Sequence, residues 1–466
     1  MRRFLLLLMT TSLAACSTTS FEEADSLARE NLPNVPENWT SVAATEDTEI
    51  QIGWIDQLSD ESLTDLVKRA QERNQDLRTA AAGVERAKGL LVQLGAERFP
   101  QVTAAANVDT SGNPDLGGTN TRSSFLGLAA AWELDVWGRI RAGRRAGIGS
   151  FISAEEDFKF AQYSIAASVA RAYFAAIEAK LQADVTSETL AALKETDRIV
   201  RTRFEIGEAT REDISLSRSE VEATAATLSI NLADARIARR ALEVLLKDYP
   251  GAQIPITNAF PVAPPPPTVG LPSTLLDRRP DIIAASRNVA AASNFLVQAR
   301  AARLPNITLS GSVGASSAAG PMGALANSLS PQDILWSAAG EILGVVFAGG
   351  TRRAQVKIER ADLEIALADY VNIALQAFEE VENGLDQVAA FDDQVKRLKA
   401  ATKASEKAFS LAQFRYEEGE TDLVDVLDIR QRVLANQSGF VSAQRARLDA
   451  WVALNLALGG SWKQSE

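Results

Sequence analysis

The sequence predicts a mainly α-helical chain with a transmembrane β-barrel portion, both built from one duplicated unit. Three observations carry this. First, the chain repeats itself. At an offset of 205, Arg73, Asp76, Ala80, Val84, Leu91, Val92, Gln93, Arg98 and Pro100 coincide with Arg278, Asp281, Ala285, Val289, Leu296, Val297, Gln298, Arg303 and Pro305. At an offset of 212, Arg203, Phe204, Gly207, Glu208, Asp213, Ile214 and Arg218 coincide with Arg415, Tyr416, Gly419, Glu420, Asp425, Val426 and Arg430. An internal repeat decides architecture before any other feature. Second, long proline-free stretches hold a 3.6-residue apolar period. Third, each copy carries two alternating apolar and polar segments, long enough to cross a bilayer when tilted.

Composition narrows the function classes. The formal net charge of −12 argues against nucleic acid as a partner. There is no histidine, and the one cysteine is Cys16. These counts exclude Ser–His and Cys–His catalysis, cysteine-based metal sites and internal disulfides. No cofactor or metal is expected. Beyond the leader no apolar run suffices for a transmembrane helix, so a membrane crossing would have to be a barrel.

In chain order, residues 1–15 read as a signal peptide: Arg2 and Arg3, an apolar run from Phe4 to Met9, then Leu13-Ala14-Ala15-Cys16. The last four residues resemble the lipobox of bacterial lipoproteins. The resemblance implies cleavage before Cys16, lipidation of Cys16 and, with Ser17 next, outer-membrane sorting. Residues 16–51 read as an extended, lipid-anchored arm. The first repeat, 52–249, opens with one helical stripe from about Asp60 to Phe99, closed by Pro100. Val102 to Asp109 and Leu126 to Val136 then alternate as strands around a polar loop from Thr110 to Thr121. A helix from Arg139 to Ile206, on the order of 100 Å long, turns at Gly207. Thr210 and Asp213 form a capping-box pattern, and a helix returns to Asp248. Residues 250–272 are a Pro-rich linker containing Pro264-Pro265-Pro266-Pro267. The second repeat, 273–460, mirrors the first: strands near Ile307–Val313 and Trp336–Ala348, a loop from Gly314 to Asp333 that holds a seven-residue insertion, a helix from Thr351 to Tyr416, a turn at Gly419 and a return through Leu458. Residues 461–466 form a tail. Four strands cannot close a barrel alone, so the chain is expected to assemble with copies of itself.

Several motifs carry a family resemblance: Trp132-Glu133-Leu134-Asp135-Val136-Trp137-Gly138-Arg139, Leu276-Asp277-Arg278-Arg279-Pro280-Asp281-Ile282 and Ala302-Arg303-Leu304-Pro305. With these the chain resembles the TolC-like outer-membrane efflux channels, in their RND efflux lipoprotein branch. The resemblance implies a homotrimer with a 12-stranded barrel and an α-helical periplasmic tunnel. It also implies a periplasmic adaptor protein, an inner-membrane RND pump and outer-membrane lipid as partners. The tips at Gly207 and Gly419 would face the adaptor.

The stretch from Gly419 to Asp428 resembles the tip where such ducts narrow, and their constricting acids fall on Asp425 and Asp428. Three residues apart, these share one helical face. Asp425 also suits the N3 position of a helix capped by Asp422, where acids are favoured in any case. Asp428 lies in the second turn, where the first copy has Leu216, and capping does not account for it. The family's locking Arg position is Thr421 here, which leaves Arg211 and Asp422 as candidate lock residues. The rival readings are a type I secretion outlet, a non-porous periplasmic coiled-coil scaffold and a carboxylate enzyme.

Overall fold

The computed structural model describes residues 18–41, 53–112, 120–318, 321–328 and 334–460. Cys16, the signal peptide and the 461–466 tail lie outside the described residues, as do Ser17 and 42–51 of the arm and residue 52 of the first repeat. The elements are, in order, α1 (Phe21–Glu30), α2 (Trp54–Gln57), α3 (Glu61–Arg73), α4 (Gln75–Ala96), β1 (Gln101–Gly112), β2 (Asn120–Leu134), α5 (Arg139–Glu205), α6 (Arg211–Leu245), α7 (Pro272–Leu275), α8 (Pro280–Ala301), β3 (Asn306–Ser317), α9 (Pro321–Ser328), β4 (Ile334–Leu343), α10 (Thr351–Glu417) and α11 (Leu423–Ala457).

The duplication returns element by element from α4 and α8 onward. α4 and α8 each have 22 residues, and β1 and β3 each have 12. The long helices α5 and α10 have 67 residues apiece, and their return helices α6 and α11 have 35. The copies differ in the second hairpin, where α9 occupies the segment expected to hold the insertion.

One compact unit comprises the described residues within 1–32, 83–155 and 284–372. It holds a four-stranded antiparallel sheet in the order β1-β2-β3-β4. The register puts Val102, Ala104 and Ala106 opposite Ala130, Leu128 and Leu126. Leu128 and Trp132 in turn lie opposite Val313 and Leu309, and Val313 and Ile307 opposite Trp336 and Ile342. Directly paired residues share a face, so one side of the sheet is apolar across all four strands. The other side carries Gln101, Thr103, Asn107, Glu133, Thr308, Ser310, Ser312 and Glu341. In the single chain much of the apolar side is exposed, with Trp336 79% exposed, while Ala315 on that side is buried.

The Trp132–Arg139 motif is the joint between sheet and helix. The Asp135 carboxylate accepts the N–H groups of Ile140 (3.0 Å) and Arg141 (2.9 Å), capping α5. Gly138 takes φ +78°, the left-handed conformation in which a Cβ is strained. Arg139 pairs with both Glu133 and Glu97 at 3.0 Å, and the Trp137 ring N–H donates to the Pro305 carbonyl.

The other unit comprises residues 33–82, 156–283 and 373–466. Its core packs Trp54, Ile55, Leu63 and Val67 against Tyr173, Phe174, Leu242, Leu246 and Trp451. Arg279, only 3% exposed, is surrounded by Asp281 (2.9 Å), Glu380 (2.6 Å), the Ala457 carbonyl and the Phe160 ring. The Pro-rich linker has no regular structure apart from α7, and Trp451 donates to its Pro265 carbonyl.

Three expectations are corrected. The arm is not simply extended: α1 forms at its start, nucleated by a Ser20/Glu23 capping box, and buries Ala24 and Ala28. Further along, Trp39 donates to the Gly270 carbonyl and Glu382 accepts the Thr40 and Ser41 N–H groups. The stripe from Asp60 to Phe99 is two helices, because Asn74 turns extended and its side chain accepts the N–H groups of Asp76 and Leu77. The strands run further into the loops than the apolar alternation indicates, since Thr110 and Ser111 continue the ladder opposite Arg122 and Thr121.

The C-terminus of α6 is joined to the linker by one buried carboxylate. Glu243 accepts N–H groups from Ala252 (2.7 Å), Gln253 (2.6 Å) and Ile254 (3.2 Å). Burial pushes its carboxyl up, but these donors and the Gly251 N–H outweigh burial and hold it below the usual carboxylate range. A depressed folded-state pKa contributes stability above the unfolded value and loses it as pH falls through the folded one. Glu243→Gln is therefore expected to lower stability at neutral pH by about 1.5–3 kcal/mol, the scale of hydrogen bonds to a charged group. In denaturant unfolding followed by circular dichroism, the difference from wild type should shrink as pH drops below the ordinary carboxylate range.

Candidate functional site

The two helical turns at Gly207 and Gly419 are built alike. Gly207 (φ +87°) and Gly419 (φ +79°) are left-handed. Each follows a long helix and closes it with a paired bond: Glu208 N–H to Arg203 O and Gly207 N–H to Phe204 O, repeated as Glu420 to Arg415 and Gly419 to Tyr416. This is the Schellman closure, in which only glycine holds the left-handed position without strain.

The helices that leave the turns start differently. Thr210 caps α6 through the expected reciprocal box, with Asp213 N–H to Thr210 Oγ1 at 3.1 Å and Thr210 N–H to Asp213 Oδ2 at 2.8 Å. At the matching position in α11, Asp422 is the N-cap residue by backbone conformation, but its side chain makes no cap bond. Instead the Thr421 hydroxyl donates to Asp425 Oδ2 at 2.7 Å.

Apolar packing sets the rotation of α11. Leu423, Val426 and Leu427 are buried with Leu193, Val200, Ala412 and Tyr416. Their i, i+3, i+4 spacing turns one face inward, which leaves Asp422, Asp425 and Asp428 exposed. Arg211 is exposed at the first position of α6 and makes no ion pair among the described residues. Within one chain the structure thus brings Asp425 to Thr421 and pairs Asp428, Asp422 and Arg211 with none of the others.

Sequence reasoning missed Arg203. Its guanidinium donates to the Tyr416 carbonyl at the end of α10 and lies over the Tyr416 ring, 4.8 Å from its centre. It also sits 3.5 Å from the Glu417 carbonyl and 3.7 Å from Glu208. A cation at a helix C-terminus satisfies free carbonyls and complements the helix dipole. Burial holds the Tyr416 hydroxyl above its usual pKa despite this cation. The repeat did mark Arg203, as the partner of Arg415, but a contact between two separate hairpins leaves no local trace in sequence.

Among the described residues no group of acids is arranged to hold a metal ion, and no helix is long and apolar enough to cross a membrane.

The profile of the family described as "Outer membrane efflux protein" matches residues 66–246 and 271–460. The outer membrane protein OprJ of Pseudomonas aeruginosa is 31% identical over 98% of this chain and 95% of its own length. The toluene efflux pump outer membrane protein TtgI of Pseudomonas putida is 30% identical, covering 87% of each chain. The solved outer-membrane channel OprN superposes with a TM-score of 0.85 at 29% identity, over 92% of this chain and 97% of the other.

Arg203→Gln is expected to loosen the end of α10 while leaving the fold intact. Amide exchange at Gly419 and Glu420, measured by mass spectrometry, should quicken by about tenfold or more, matching loss of a charge-assisted bond of ~1.5 kcal/mol or above.

Proposed function

The chain belongs to the outer membrane efflux protein family, and on that premise we infer how its geometry serves as the outer-membrane exit duct of a tripartite efflux system. Three copies place their four strands edge to edge in a 12-stranded barrel. The apolar side of each sheet faces lipid and the polar side lines the lumen. The observation that carries this reading is the single apolar face running unbroken from Val102 through Leu128 and Val313 to Trp336. The long helices form the periplasmic tunnel. The lipid anchor is Cys16, after removal of residues 1–15.

Asp425 and Asp428 are the constriction. Threefold symmetry turns each into a ring of carboxylates, which favours cations and narrows the path. Their exposure in the single chain and their origin on a helix face fixed by buried Leu423, Val426 and Leu427 support this. Arg211 and Asp422, both exposed at helix starts, lock the closed state by pairing between copies. The turns at Gly207 and Gly419 meet a periplasmic adaptor, and an inner-membrane RND pump supplies the energy. Toluene efflux, in the name of the relative TtgI, supports small hydrophobic or amphiphilic cargo. The duct conducts passively and performs no catalysis.

Single-channel recording in planar bilayers tests the constriction. Wild type should give a small, cation-selective current, and the Asp425→Ala, Asp428→Ala double variant a larger and less selective one. An unchanged current would move the constriction elsewhere, and silence from inserted trimers would remove the duct. Cys16→Ala should abolish incorporation of labelled palmitate, and unchanged labelling would refute the anchor.

A further inference from the structure

The two turns match in backbone, yet their arginines are used differently. Arg203 is 15% exposed in its side chain and Arg415 is 58% exposed. The aromatic rings beside them differ in the same sense. Tyr416, under Arg203, is 6% exposed, whereas its twin Phe204 is 37% exposed. Each arginine approaches the glutamate five residues on, Glu208 at 3.7 Å and Glu420 at 3.5 Å. Only Arg203 also reaches the end of another helix. The carbonyls equivalent to those it meets are Phe204 O and Glu205 O, and Phe204 O, bonded to the Gly207 N–H, keeps a second lone pair.

We infer that Arg415 is the second half of this clamp: it caps the α5 C-terminus of the neighbouring copy of the chain and covers the Phe204 ring there. This rests on the trimeric duct above. In a ring where the two repeats alternate, the rotation that carries α5 and α6 onto α10 and α11 carries α10 and α11 onto α5 and α6 of the next chain. The bond from Arg203 to the end of α10 then becomes a bond from Arg415 to the end of the next α5. Within one chain the first contact can form and the second has no partner, which is the asymmetry observed. The occupant is a second copy because the Phe204 and Glu205 carbonyls and the partly exposed Phe204 ring match, position by position, the groups that surround Arg203. The clamps would close a belt around the tunnel end, alternately within and between chains.

Paired cysteines in the full chain, in membranes, test it. Arg415→Cys with Glu205→Cys, treated with a short bismaleimide, should give covalent dimers and trimers on denaturing gels. The control pair Arg203→Cys with Glu417→Cys should link within one chain and keep monomer mobility. Single variants, which retain Cys16, set the background. Linkage of the first pair only within a chain, or none above background, while native gels show trimers, would overturn the clamp and leave the duct standing. Absence of trimers in the wild type would remove the duct reading and the clamp with it. A measurement free of cysteines adds a second reading. Arg415→Gln should quicken amide exchange at Gly207 and Glu208, in the turn it does not touch within its own chain, and unchanged exchange there would overturn the clamp.

Discussion

The constraint on which the rest depends is the bare edge. β1 and β4 are the outer strands of the sheet, and each presents a row of backbone N–H and C=O groups to whatever surrounds it. In water those groups find partners. In hydrocarbon each unpaired group costs several kcal/mol, so a strand edge there must meet another strand. The apolar face that suits the sheet to lipid is therefore what forbids the chain to remain alone. Assembly about an axis follows from the sheet.

Duplication doubles this symmetry and then permits departures from it. Thr210 and Asp422 occupy the same position in the two repeats, as do Asp213 and Asp425. A hydroxyl and a carboxylate satisfy each other's helix start in the first copy. Two carboxylates cannot do so without like-charge repulsion. In the second copy Asp425 takes the Thr421 hydroxyl instead, and the Asp422 side chain makes no cap bond. A local electrostatic misfit thus leaves the N-cap side chain without its cap bond at one tip and not at the other. Leu216, half-buried where the second copy has exposed Asp428, marks the same division.

What was legible in the sequence was local or periodic. The long helices, the glycine turns and the Thr210–Asp213 box are properties of neighbouring residues, and their bounds came within a few residues. The alternation of Val102 to Val108 and Leu126 to Leu134 revealed the apolar face because the pleat has a fixed period. The break at Asn74 was hidden because the apolar stripe continues through it, and only the Asn side chain reveals the new helix start. α1 was overlooked although Ser20 and Glu23 spell its capping box, since the helix is short and surrounded by polar residues. Arg203 and Arg279 belong to a third kind. Their partners lie about 100 or more residues away, as with Tyr416 and Glu380, and no period or spacing announces such contacts. For Arg279 a family motif marked the position without giving its chemistry.

The tip also limits how the duct can open. The acids are carried by α11, whose apolar face packs against Leu193 and Val200 of α5. The turn before α11 is tied to α5 through the Arg203 bond to Tyr416. Under the constriction proposed above, moving the acids away from an axis means shifting the second hairpin against the first, and both that apolar packing and the Arg203 bond lie across the movement. One charge-assisted bond is worth roughly 1.5–3 kcal/mol. A partner can shift a conformational equilibrium only by the difference in its affinity for the two states. A difference of about tenfold to a few hundredfold, well within the reach of protein docking, matches the release of one such bond. The polar part of the proposed closure is thus within the range of a docking partner to release, while the apolar packing of Leu423, Val426 and Leu427 holds α11 on α5.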